Sequence, residues 1–164
     1  MREINKIIIH CSAGKWGDKK YIDRIHIEIG YDECGYHFVI CNSYPTWNSI
    51  NEQKPCHELD GLVENGRPLE KVGAHTFMQN SRSIGICLIG VDQFTGKQLE
   101  ALFDLVQQLR KAYDIPADQV FGHREFSVKT CPNINMDHLR SMMGADDRPP
   151  ERSPRSIACK TPEC

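Results

Sequence analysis

The sequence predicts an α/β fold: one domain with a mixed central sheet of about five strands flanked by helices. Three observations carry that prediction. Short β-branched and apolar runs recur along the chain, as in Ile7-Ile8-Ile9 and Ser83–Gly90. Between them lie segments with helical rather than alternating apolar spacing, Leu99–Leu109 being the clearest. The 164 residues, 40% hydrophobic and 26% charged, have the composition of an ordinary globular domain large enough for a core.

Lys6–Cys11 reads as a buried strand from its isoleucine run. Tyr21–Ile29 carries Ile22, Ile25 and Ile29 at helical spacing, with Gly30 placed to end the helix. Gly35–Cys41 is a second strand. Asn42–Gly61 has no period and contains Pro45 and Pro55, so it reads as a long surface loop. Leu62–Glu64 forms a short strand closed by the Asn65-Gly66 turn signal. Ser83–Gly90 is a further strand. Thr95 and Gln98 have the spacing of a capping box, opening a helix whose Leu99, Leu102, Phe103, Val106 and Leu109 share one face. That helix runs to about Tyr113 and stops before Pro116. Val120-Phe121 is a short strand delivering Gly122-His123, and Asn135 caps a last helix that Gly144 ends after Met143. The folded domain is thus expected over residues 1–144. Residues 145–164, rich in Pro, Arg and Ser, read as a disordered tail.

Charge and hydropathy narrow the function classes. A net charge of −2 gives no overall basic field to recruit nucleic acid. No apolar run approaches the ~18 residues of a membrane span. The N-terminus lacks the apolar stretch and cleavage site of a secretory signal, so a cytoplasmic location is expected. In that compartment the eight cysteines are expected as reduced thiols. Cys41 and Cys87 end or lie within apolar strands and read as buried small hydrophobes.

His10 ends one predicted strand, His123 follows another, and Cys131 lies eight residues further on, just before Pro132. Two imidazoles and one thiolate suit Zn²⁺, and zinc with three protein ligands keeps its fourth position for water. Taken singly, each histidine reads better as a packed strand-end residue, and the spacing alone is a weak motif.

Several separated segments resemble, in order and approximate spacing, one known family. They are Ile8-Ile-His10-Cys-Ser-Ala13, Gly35-Tyr-His-Phe38, Gly66-Arg-Pro68, Gly73-Ala-His75, Ser83-Ile-Gly-Ile-Cys-Leu-Ile-Gly90, Gly122-His-Arg124 and Lys129-Thr-Cys-Pro132. The family is the zinc-dependent N-acetylmuramoyl-L-alanine amidases, of the type found in phage T7 lysozyme and peptidoglycan-recognition proteins. The resemblance covers about residues 6–143. It implies a mixed sheet with flanking helices, one Zn²⁺ in a groove, and hydrolysis of the amide joining N-acetylmuramic acid to L-alanine. It also implies zinc ligands at His10, His123 and Cys131, catalytic groups at Tyr36 and Lys129, and a substrate contact at His75. His37, next to Tyr36 on a strand, should face the other way and be structural or support another group. Cys11, next to His10, should face away from the metal. His26, His57 and His138 read as surface or packing residues, and Asn80 and Ser81 as groove-lining.

The chain departs from the family pattern in three places. Residues 42–61 stand where relatives often have a tight turn, Val128 stands where a proline often precedes the lysine, and the stretch after Gly90 is short. None removes a ligand or the Tyr36–Lys129 pair. The expectation is a phage or prophage endolysin, monomeric, made in the cytoplasm and acting on the wall after release. Its partner is peptidoglycan, with no nucleic acid and no membrane insertion. Two other readings compete. One is a peptidoglycan-binding module without activity, against which the retained Cys131 and Tyr36 argue. The other is a regulator that binds an RNA polymerase, which rests on family analogy alone.

Overall fold

The computed structural model describes residues 2–146. Five strands form one sheet: β1 (Lys6–Cys11), β2 (Phe38–Ile40), β3 (Val63–Asn65), β4 (Ser83–Leu88) and β5 (Val120–Gly122). Their spatial order is β3-β2-β4-β1-β5. β1 pairs in parallel with both β4 and β5, β2 pairs in parallel with β4, and β3 runs antiparallel to β2, so the sheet is mixed as expected. The helices are α1 (Lys19–Glu28), α2 (Trp47–Asn51), α3 (Gly96–Tyr113) and α4 (Met136–Asp146).

Alternation along β1 divides the core into two layers. Ile7 and Ile9 join Ile84, Ile86 and Leu88 of β4 in a cluster completed by Leu102, Val106 and Leu109 of α3 and by Met136 and Met143 of α4. Each fully buried aliphatic side chain contributes roughly 1.5–3 kcal/mol. On the opposite face Val39 and Ile89 pack with Ile22 of α1, with Tyr21 and Tyr36 against them. His10, between Ile9 and Cys11, points to this second face and is only 1% exposed.

Most elements lie where the sequence put them, and the differences have identifiable causes. β2 is shorter than residues 35–41: His37 still bonds to the neighbouring strand β4, but Gly35 turns away to the 73–75 loop. The Ala74 amide donates to the Gly35 carbonyl at 3.0 Å, and the His37 amide to the Gly85 carbonyl at 2.8 Å. The stretch 42–61 is not wholly irregular. Thr46 and Ser49 form a reciprocal capping box around α2, a signal too short to register as a period. β3 is shifted one residue along, and Asn65-Gly66 closes no tight hairpin, since β2 and β3 are joined through the long intervening segment. Leu99 is 41% exposed and so leaves the apolar face of α3. Asn135 caps α4 through the His138 amide at 3.0 Å, but the helix continues through Gly144 to Asp146. A Cβ at Gly144 would meet nothing within 4 Å, and no neighbouring group forces the helix to stop there. The tail proposed from residue 145 otherwise lies outside the described residues.

The α3 cap also closes the sheet. Gln98 accepts from the Thr95 amide at 3.2 Å, while its Nε2 donates to the carbonyls of Ile89 (2.9 Å) and Ile40 (3.2 Å). These two carbonyls lie on residues with 0% exposure, where water cannot replace the donor. The Ile40 carbonyl also accepts from the Ile89 amide at 2.9 Å, so Gln98→Leu should destabilise the fold by about 1–3 kcal/mol, the cost of orphaning the buried Ile89 carbonyl. Urea unfolding checks this, and a change under about 0.5 kcal/mol would contradict the assignment.

Candidate metal centre and active site

Parallel pairing of β1 and β5 sets Ile9 opposite Gly122. The next residues, His10 and His123, therefore emerge side by side at neighbouring strand ends, their ring centroids 4.5 Å apart. A loop returns Cys131 to them. The Arg124 amide donates to the Cys131 carbonyl at 2.7 Å, and the Cys11 amide donates to Cys131 Sγ at 3.0 Å. Gly122 leaves room for this return: a Cβ there would lie 2.8 Å from Pro132 Cδ. One ring nitrogen of each histidine and Cys131 Sγ all lie within 4.8 Å of one another. Donors to zinc sit about 2.0–2.3 Å from the ion, so a triangle of this size can share one.

The electrostatics suit metal binding. His10 is held well below the usual histidine range, first by burial and then by His75, His123 and Lys129. His123 is lowered by burial and then by Lys129. Both rings are therefore neutral near neutral pH, the form that ligates. The neighbouring Cys131 sulfur lowers the Cys11 thiol to about 7, while Cys11 and then burial push the Cys131 thiol up, so the two sulfurs share one readily lost proton. The Cys11 amide, aimed at Cys131 Sγ, favours the charge on that sulfur. Cys11 does not face clear of the centre as expected. It ends β1, and the Cys131 loop crosses that end, so pointing to the far face still brings the two sulfurs together. It lies outside the three-donor set found among the described residues.

Tyr36 is half-buried, with its ring 5.0 Å from that of His10. Burial, then neighbouring thiols, pushes its hydroxyl well above the ordinary tyrosine range, so it remains a neutral donor. Lys129 is exposed in the 123–131 loop, beside the fully exposed Val128. Its charge is felt by both metal-candidate histidines. His75 lies directly against His10, their Nδ1 and Nε2 atoms 3.0 Å apart.

The supporting groups were hard to find by sequence. Thr76 Oγ1 lies 3.3 Å from His10 Nε2 and 3.1 Å from His75 Nδ1. Asn80 does not offer its carbonyl oxygen to the groove: Oδ1 accepts from the amides of His75 (3.0 Å) and Thr76 (2.8 Å) and fixes that loop. Gly85 is needed because a Cβ there would lie 2.5 Å from the His75 ring. The Gly-Ala-His motif was visible, but its packing on a glycine of another strand was not. His37 is buried as a structural residue, its Nδ1 accepting from the Gly85 amide at 2.9 Å. His26 accepts from the Gly35 amide through Nδ1 at 2.8 Å, a packing role. The described cysteines, Cys41 and Cys87 among them, are free thiols.

The profile of the N-acetylmuramoyl-L-alanine amidase family matches residues 1–134. The endolysin of Enterobacteria phage K11 is 31% identical over 146 residues, covering 82% of this chain and 84% of that protein. The endolysin of Escherichia phage T7 is 31% identical over 141 residues, covering 79% and 81%. Among solved structures, the N-acetylmuramoyl-L-alanine amidase LysC from Clostridium intestinale URNW superposes with a TM-score of 0.72 at 25% identity, covering 87% of each chain.

His37 gives the fold a titratable weak point. Burial, aided by the charges of Arg2 and Arg67, lowers its pKa to about 4. An unfolded histidine titrates near 6.5. Between these values the unfolded chain binds a proton that the folded one refuses, so this contribution to stability is lost as pH falls from about 6.5 towards 4. His37→Gln should flatten the decline of melting temperature across that window. An identical decline in both proteins would show that His37 is not responsible.

Proposed function

The chain belongs to the N-acetylmuramoyl-L-alanine amidase family and hydrolyses the amide between N-acetylmuramic acid and L-alanine in peptidoglycan, and we propose that it does so with Zn²⁺ held by His10, His123 and Cys131. The convergence of those three donors is the observation that carries the proposal. Bound there, zinc supplies a Lewis acid and a water acidified to a pKa near 7.

The chain's own residues complete the chemistry. The Lys129 ammonium stabilises the negative charge that grows on the lactyl carbonyl oxygen as it becomes tetrahedral. Its site in an exposed loop next to two of the ligands supports this role. Tyr36, protonated at every working pH, donates a hydrogen bond beside His10 and orients the attacking water or the departing amine. His75 fixes the His10 ring through their shared hydrogen bond and meets the substrate with the remainder of its half-buried ring.

Similarity to phage endolysins supports lysis of the cell wall as the role. In that role the protein accumulates in the cytoplasm and reaches the wall through a separate membrane lesion. No helix among the described residues is long and apolar enough to cross a membrane.

Metal-replete protein incubated with purified peptidoglycan should release stem peptides with new L-alanine amino termini and no new reducing ends. Chelation should stop this release. Cys131→Ala should abolish both zinc retention, read by elemental analysis, and hydrolysis. Full metal content in that variant would overturn the ligand set. Lys129→Ala should keep its zinc and lose about 10²–10³-fold in turnover, the scale of one oxyanion donor. Unchanged turnover would reduce Lys129 to a surface charge.

A further inference from the structure

Residues 45–48 wall a cleft together with residues 16–24 of the β1–α1 loop and α1. α2 carries Trp47, which is 60% exposed and belongs to neither core cluster. Its ring stands 6.4 Å from Trp16, edge-on, and Trp16 stacks at 4.1 Å on Tyr21 of α1. Together they wall a hollow of about 530 Å³, with Asp18, Arg24 and Asn48 at its edge. A second hollow of about 410 Å³ lies along the same Trp16–Trp47 pair and is bordered by Lys15 and Asn51. The two indoles thus line both hollows, giving an aromatic-walled trough with charged or amide side chains along its rim.

The trough borders the loop that follows the His10 strand. The Gly17 amide donates to the Tyr44 carbonyl at 2.8 Å, and Asn42 Nδ2 donates to the Lys15 carbonyl at 2.9 Å. These bonds hold the α2 segment against residues 12–18, which follow the metal-ligand strand directly.

We propose that this trough is a glycan subsite, in which the rings of Trp47 and Trp16, the latter backed by Tyr21, stack on N-acetylated sugars of the same peptidoglycan strand beyond the cleaved residue. The proposal rests on the amidase reading for its substrate. The apolar C–H face of a pyranose ring matches an aromatic plate, and its hydroxyl and acetamido groups need donors and acceptors at the edge. Arg24 and Asn48 are exposed there and supply them. Packing of the insertion alone would account for the half-buried Trp16. It does not account for a tryptophan placed on a one-turn helix with most of its surface in water.

Trp47→Ala and Trp47→Phe separate the possibilities, and the exposure of Trp47 leaves the melting temperature of both near that of the parent. Calorimetric titration uses the tetramer of N-acetylglucosamine as probe. Hydrolysis is followed on intact sacculi and on a single N-acetylmuramoyl peptide. The tetramer should bind the parent protein and fail to bind Trp47→Ala. That variant should lose about tenfold on sacculi and less than twofold on the single muropeptide, while Trp47→Phe keeps most of both. Equal losses on the two substrates, or none on either, would overturn the proposal. So would tetramer binding that ignores Trp47, or a Trp47-dependent dimer in sedimentation without saccharide binding. A parent protein that binds the tetramer but cleaves neither substrate would refute the amidase mechanism and leave the subsite standing.

Discussion

The parallel register between β1 and β5 is the constraint on which the site depends. With Ile9 opposite Gly122, His10 and His123 share one end of the sheet, and no other part of the chain has to be adjusted to bring them together. A slip of one residue would send His10 or His123 to the opposite face. The buried isoleucines of β1 resist that slip, because Ile7 and Ile9 would leave one core layer while Ile8 and His10 entered it. Hydrophobic burial thus fixes the geometry of the candidate donors from the far side of the strand.

Around that pair the polar groups form a scaffold rather than a surface. His75 holds His10, Gly85 gives the His75 ring its place, and His37 takes the Gly85 amide. Arg2 closes the outer side, donating to the carbonyls of Leu69 (2.7 Å), Asn80 (3.2 Å) and Ser83 (3.0 Å). The first strand's flank, the histidine loop and the start of β4 are therefore tied by one guanidinium. Orientation of the His10 ring is thus supported from His75 outward, through Gly85 and His37 to Arg2.

Much of this was legible in the sequence because it is written in local pattern. The β1 isoleucines, the Thr95–Gln98 cap and the α3 face each declare themselves within a few residues. The candidate donors His10, His123 and Cys131 were pointed to by motif order, and the fold brings the three together. What escaped depends on contacts across the fold. The Cys11–Cys131 meeting needs the crossing of a returning loop, the Asn80 anchor needs the turn of residues 75–80, and α2 is too short to show a period. Gly144 misled for the opposite reason: a helix-stopping residue type had no packing requirement to stop the helix.

The linkage between Cys11 and Cys131 spans 120 positions. Two of the three proposed donors enter late in synthesis, after β1, β2 and β4 are already available to pair. Chains emerge from the ribosome N-terminus first. A nascent chain that has not yet yielded β5 and its loop holds one donor and no centre. Competence to cut the wall therefore switches on with completion of the fold rather than growing with chain length, and partly made copies are silent towards the cell that makes them.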